Sequence, residues 1–218
     1  MDAGLFNAVI SGNVSFFEGT GGVGLNLGQV TVGKNSILHV AAKSGKVQIM
    51  EKVLQLQPQL QPSLLCMTNC KGNTALHFAA SLGHFDMTVL LTTCANDQES
   101  AVKELLLRMQ NQEKNTALHD AVSNGHYDVV DLLIKEDPGL TSLTNNAGES
   151  PLFLAVDRGF YKIALRILEV APNCSYVGRK SMNVLHAAVI RTERSKYSTP
   201  SIFSLFLYFL VINYTLFW

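Results

Sequence analysis

The sequence predicts an all-α solenoid: stacked helix-turn-helix repeats with short hairpin turns, followed by a hydrophobic C-terminal helix. Three observations carry this. Six segments share one pattern: AGLFNAVISGNV (3–14), NSILHVAAKSGK (35–46), NTALHFAASLGH (73–84), NTALHDAVSNGH (115–126), ESPLFLAVDRGF (149–160) and MNVLHAAVIRTE (182–193). Their anchor leucines are Leu5, Leu38, Leu76, Leu118, Leu152 and Leu185, spaced by 33, 38, 42, 34 and 33 residues. Seven residues after the anchor stand Gly12, Gly45, Gly83, Gly125 and Gly159, and only the last copy departs, with Thr192. A recurring period of this length means that one unit cannot bury its apolar face alone and must stack on a neighbour.

Each repeat reads as two helices. The first carries small residues three and four positions after the anchor, such as Ala41/Ala42, Ala79/Ala80 and Ala121/Val122, which let two helices approach closely. The glycine suits the left-handed turn that ends a helix. The second helix is marked by apolar residues at plus eleven (Ile49, Met87, Val129, Ile163) and plus fifteen (Val53, Leu91, Leu133, Ile167). A spacing of four keeps both on one helical face. In the first repeat Val14 and Phe16 take plus nine and plus eleven of that helix. The spacing of 38 absorbs LQLQPQLQPSLL, where Pro58 and Pro62 are expected to stop a helix and lengthen the connection. The spacing of 42 absorbs NDQESAVKELLLRMQNQ, where Asp97 or Ser100 caps either an extension of the second helix or an added short helix through Met109.

These residues resemble the ankyrin repeat, with its period of 33 and its T-P-L-H-x-A signature. The resemblance covers residues 1–195 and leaves 196–218 as a separate hydrophobic tail. It implies that His39, His77, His119 and His186, each following an anchor leucine, hydrogen-bond loop backbone. His84 and His126 likewise stand at signature positions, after the repeat glycine. The histidines and Gly45, Gly83, Gly125 and Gly159 are thus expected to be structural.

The bulk numbers narrow the function. The 218 residues hold 17 basic and 17 acidic side chains, so the basic footprint of a nucleic-acid binder is missing. Cys66, Cys70, Cys94 and Cys174 are too few and too scattered for a disulfide scaffold, and free thiols are expected. The start, MDAGLFNAVISGNV, lacks the basic n-region of a secretory signal.

No catalytic or cofactor chemistry is expected. Cys66, Cys70, His77 and His84 have the spacing C-x3-C-x6-H-x6-H, which does not match a structural zinc finger. No G-x-S-x-G elbow is present. Residues 19–36 satisfy both G-x-G-x-x-G (Gly19, Gly21, Gly24) and G-x-x-x-x-G-K (Gly28, Gly33, Lys34), which raises a nucleotide-binding enzyme as an alternative. That alternative is disfavoured. NVSFFE reads as a repeat helix where a strand is needed, Asn35 replaces the hydroxyl that holds magnesium, and Gly33–Ser36 falls in phase with the turns at 71–74 and 113–116. No cofactor, metal, nucleic acid or small-molecule substrate is therefore expected.

Binding to protein partners is the expected activity. The resemblance places contacts on the hairpin tips and on the concave face made by the exposed ends of the first helices. The tips carry Lys71, Asn73, Glu113, Asn115 and Glu149. The helix ends carry Lys43, Ser44, Ser81, Leu82, Ser123, Asn124, Asp157 and Arg158. These positions vary from copy to copy, as expected of a recognition surface and equally of a plain solvated face.

From Tyr197 to Trp218 no side chain is charged. Residues 201–218 span roughly 27 Å as a helix at ~1.5 Å per residue, near the ~30 Å of bilayer hydrocarbon. Arg191, Arg194 and Lys196 precede them and would hold the array on the cytosolic side. Three readings stay open: a membrane anchor, a cap on the last repeat, or a fortuitous extension from an abnormal gene end. The Leu-Phe-Asn-Ala-Val start and LHDAVSNGHYDVVDLLIKEDPGL are similar to plant ankyrin-repeat membrane proteins of the accelerated-cell-death type. That resemblance implies a role in defence or stress signalling at the cytoplasmic face of a membrane, the plasma membrane being favoured. The family's Pro-Gly-Gly segment and four-helix membrane domain are missing, so a short or truncated member, or a decoy, is the further alternative.

Overall fold

The computed structural model describes residues 1–19, 26–56, 58–96 and 100–194. The hydrophobic tail and residues 20–25 of the glycine-rich stretch lie outside them. The chain divides into two compact units that part between Gln112 and Glu113.

The first unit holds α1 (Ala3–Ser11), α2 (Ser15–Gly19), α3 (Ile37–Ser44), α4 (Val47–Leu56), α5 (Gln61–Leu65), α6 (Ala75–Leu82), α7 (Phe85–Asn96) and α8 (Ser100–Arg108). The first helices α1, α3 and α6 pack in series, and the second helices α4 and α7 pack behind them. The second unit holds α9 (Ala117–Asn124), α10 (Tyr127–Glu136), α11 (Pro151–Asp157), α12 (Tyr161–Val170) and α13 (Val184–Arg194). There α9, α11 and α13 pack in series, and α10 packs on α12. Among the described residues the only β pairing is one isolated bridge, Val177 with Asn183.

The predicted core positions are filled through the fifth copy, whereas the last anchor, Leu185, is only partly buried. Leu38, Leu76, Leu118 and Leu152 are fully buried, as are Ala41, Ala42, Ala79, Ala80 and Ala121. On the second helices Met87, Leu91, Val53, Leu133 and Ile167 are also fully buried. The first helices of the first five repeats all end the same way. The N–H of the repeat glycine and of its successor bond back to the two small residues, as in Gly83 to Ala80 (3.3 Å) and His84 to Ala79 (2.9 Å). The same pair recurs from Gly12/Asn13 through Gly159/Phe160. This is the Schellman arrangement, and all five glycines sit at φ between 65° and 79°, where a Cβ is strained. Glycine thus turns the chain into the second helix.

Three details differ from the expectation. In the first repeat Phe17, one residue later than Phe16, is the fully buried ring, and α2 is only five residues long. Pro58 and Pro62 open structure instead of merely ending it: Pro58–Leu60 is a 3-10 turn and Pro62 sits in the first turn of α5. Proline is tolerated there because the first amides of a helix have no intrahelical partner. Leu64 and Leu65 are thereby buried, and α5 packs on α7. In the 95–112 insert, α8 is an added helix that packs on α7, and its Leu106 and Leu107 are buried.

Candidate protein-binding face

In each unit, histidine-closed caps hold the first helices. Ser36, Thr74 and Thr116 are the N-caps of α3, α6 and α9, and a histidine stands at the third position of each helix. Its Nδ1 accepts the N-cap backbone N–H, at 3.1 Å for His39, 3.2 Å for His77 and 3.3 Å for His119. Imidazole thus fills the place that glutamate or glutamine takes in the usual capping box. An accepting Nδ1 puts the proton on Nε2, which donates onward to the next hairpin. His39 reaches the Asn73 carbonyl at 2.7 Å and His119 reaches the Glu149 carbonyl at 3.3 Å. Burial holds both rings neutral: the pKa of His39 is lowered and that of His119 is pushed down to about 4. His186, in the last repeat, accepts the Asn183 N–H at 3.2 Å but is exposed.

The fifth copy departs from the frame and compensates. Phe153 takes the histidine position and has no acceptor for the N-cap amide. The Ser150 N–H instead bonds the Val177 carbonyl at 3.0 Å. The Phe153 ring packs on Gly178 so closely that a Cβ there would come within 2.1 Å of it. Above that ring, 5.6 Å from its centroid, lies the Arg179 guanidinium, which also pairs with Glu149 (2.8 Å) and Asp157 (3.1 Å).

Within each unit, asparagine pairs join neighbouring hairpins. Asn69 Nδ2 donates to Asn35 Oδ1 at 2.9 Å, Asn111 to Asn73 at 2.9 Å, and Asn145 to Asn115 at 3.1 Å. Backbone rungs run beside them: Cys70 N–H to Gly33 (3.0 Å), Gln112 to Lys71 (3.0 Å) and Asn146 to Glu113 (2.8 Å). The sequence carried a signal for these pairs, since asparagines recur three and seven residues before the anchor leucine.

The expected contact residues fall into two groups. Asn73, Asn115 and Glu149 use their side chains in rungs, and Glu149 is only 8% exposed. Lys71 and Glu113 are exposed on the hairpin tips. Lys43, Leu82, Asn124 and Arg158 are exposed at the ends of the first helices, and Ser44, Ser81, Ser123 and Asp157 beside them are partly exposed. Asp120, absent from the expected set, sits two residues after its anchor on α9. Burial pushes its carboxyl up to about 7.

The other candidate chemistries find little geometry. Lys34 is a hairpin tip in the left-handed region (φ 58°). The Lys34 and Asn35 amides bond the carbonyl and hydroxyl oxygens of Thr31, and the Ser36 amide is taken by His39. Three consecutive amides that a phosphate would need are thus already used. Among the described residues no group of His, Cys, Asp and Glu has the arrangement to hold a metal. All four cysteines are free thiols, and burial raises the pKa of Cys66 and takes that of Cys174 to about 12. No described helix is long and apolar enough to cross a membrane.

The family model for ankyrin repeats (3 copies) matches residues 5–94, 68–142 and 90–180. Comparison with curated proteins gives no match. Ankyrin repeats are protein-interaction scaffolds. The period, the capped helix pairs and the family match agree, and the chain belongs to the ankyrin-repeat family.

Proposed function

We propose that the chain is a non-enzymatic scaffold that binds protein partners through its hairpin tips and the exposed ends of its first helices. One observation carries this reading. The pairs Lys43-Ser44, Ser81-Leu82, Ser123-Asn124 and Asp157-Arg158 differ in chemistry, while the caps and glycines beneath them repeat. A fixed frame under changing side chains is how a repeat protein encodes a partner. A photo-crosslinking residue at Ser81 or Ser123 should capture a protein partner, and one at Lys52 or Lys135, on the second helices, should not. Equal capture from both sets, or none from either, would sink the proposal.

The composition of residues 197–218 supports a tether at the cytoplasmic face of a membrane. The resemblance to the accelerated-cell-death type supports a place in plant defence or stress signalling. A truncated or decoy member remains the competing reading. Comparison with any longer transcript of the same locus separates the two.

A further inference from the structure

Charge is unevenly placed in the first unit. Between residues 19 and 85 the only acidic side chain is Glu51, against Lys34, Lys43, Lys46, Lys52 and Lys71. Glu51 lies on α4, and the acids flanking the interval, Glu18 and Asp86, lie on α2 and α7. The hairpins and first helices of the second and third repeats therefore carry no negative charge. Two of the lysines are occupied: Lys52 faces Glu18 at 3.9 Å, and the Lys46 stem lies against the Gly12 turn.

Lys34, Lys43 and Lys71 are exposed, and among the described residues none has an ion-pair partner. Their backbone is fixed. The Cys70 N–H to Gly33 carbonyl bond of 3.0 Å sets the tips bearing Lys34 and Lys71 side by side. Lys43 ends α3, which packs on α6. Of the apolar side chains exposed in these two repeats, Val32 lies at the tip and Leu82 (45%) at the end of α6, while Leu60 lies on the 3-10 turn and Phe85 at the start of α7.

We infer that this face of the first unit binds an acidic peptide segment carrying apolar side chains, the carboxylates meeting Lys34, Lys43 and Lys71 and the apolar groups meeting Val32 and Leu82. The inference rests on the scaffold reading and adds the partner's chemistry. Three point charges without arginine, interleaved with apolar groups, suit a peptide better than a polyphosphate backbone, which needs a longer basic track. Opposite charge across such a face speeds encounter and selects against basic partners.

The test is fluorescence anisotropy on the full chain, with a fluorescein-labelled peptide of repeating Glu-Asp-Leu triplets. A Lys-Arg-Leu peptide, single-stranded DNA and phosphatidylserine vesicles are measured alongside. Saturable binding of the acidic peptide that weakens with added salt is expected. Each single Lys→Gln change should weaken it about two- to fivefold, and the triple Lys34→Gln, Lys43→Gln, Lys71→Gln change more than tenfold. Lys52→Gln, Lys135→Gln and Lys162→Gln together should leave it unchanged. No binding of the acidic peptide overturns the inference, as does binding indifferent to the triple change or equal lysine-dependent binding of DNA or vesicles. Crosslinking from Ser81 decides separately whether the scaffold reading survives. Salt dependence in the unsubstituted chain keeps the test independent of any folding defect in the variants.

Discussion

His119 and Asp120 are neighbours in sequence with opposite pH linkage. The His119 pKa is depressed to about 4 by burial, so its neutral form is the folded one. Its contribution is complete above the unfolded value near 6.5 and drains away as pH falls toward 4, a loss of about 3 kcal/mol. Asp120 runs the other way. Its carboxyl is raised to about 7 by burial, so its contribution is complete below the unfolded value and drains as pH rises through 7. The two offset each other between pH 4 and pH 7. Asp120→Asn should therefore raise the Tm at pH 8, change little at pH 4, and unmask the acid loss due to His119. An equal shift in Tm at both pH values would refute this assignment. A second residue-scale test uses backbone strain. Lys114 sits at φ 55° on its hairpin tip, where Gly72 and Gly148 occupy the matching tips at 77°. Lys114→Gly should stabilise by about 1 kcal/mol, read from urea denaturation.

At the scale of elements, the helix pairs were legible in the sequence because their constraints recur at fixed offsets. Leu38, Leu76 and Leu118 share a role that no single copy would reveal. The asparagine pairs were equally periodic, but pairing Asn69 with Asn35 requires knowing that two hairpins 34 residues apart lie side by side. The inserts were less legible. Pro62 reads as a stop in sequence, yet a proline in the first turn also starts a helix, and what decided for α5 was burial of Leu64 and Leu65 on α7. Repeat five tests how an element survives a broken rule. Its hairpin is held by Phe153 against Gly178, where the second to fourth copies use a buried histidine. Gly178→Ala should cost several kcal/mol, since its Cβ would sit 2.1 Å from the ring. Phe153→His should restore the common capping box and rescue part of that loss. A Gly178→Ala chain with an unchanged Tm would contradict the packing described.

At the scale of the whole molecule, residues 201–218 have two competing homes, and the choice fixes where the scaffold works. The segment is apolar enough for a bilayer, and Arg191, Arg194 and Lys196 precede it. The last helix also offers an apolar surface, with Val189 57% and Ile190 39% exposed on α13. Burying an apolar side chain is worth about 1.5–3 kcal/mol in either place, so hydrophobicity alone does not choose. What differs is linkage. A cap on the last repeat would stabilise the array, because each repeat is held by its neighbour. A membrane anchor would leave the array's stability alone and change only its partitioning. Flotation with liposomes and thermal unfolding should therefore be measured on the full chain and on residues 1–197. The anchor reading expects the full chain to float, the shortened chain to stay in the dense fractions, and both to unfold at the same temperature. Equal partitioning together with a lower Tm for residues 1–197 would transfer the segment to the repeat stack and remove the membrane from the proposed function.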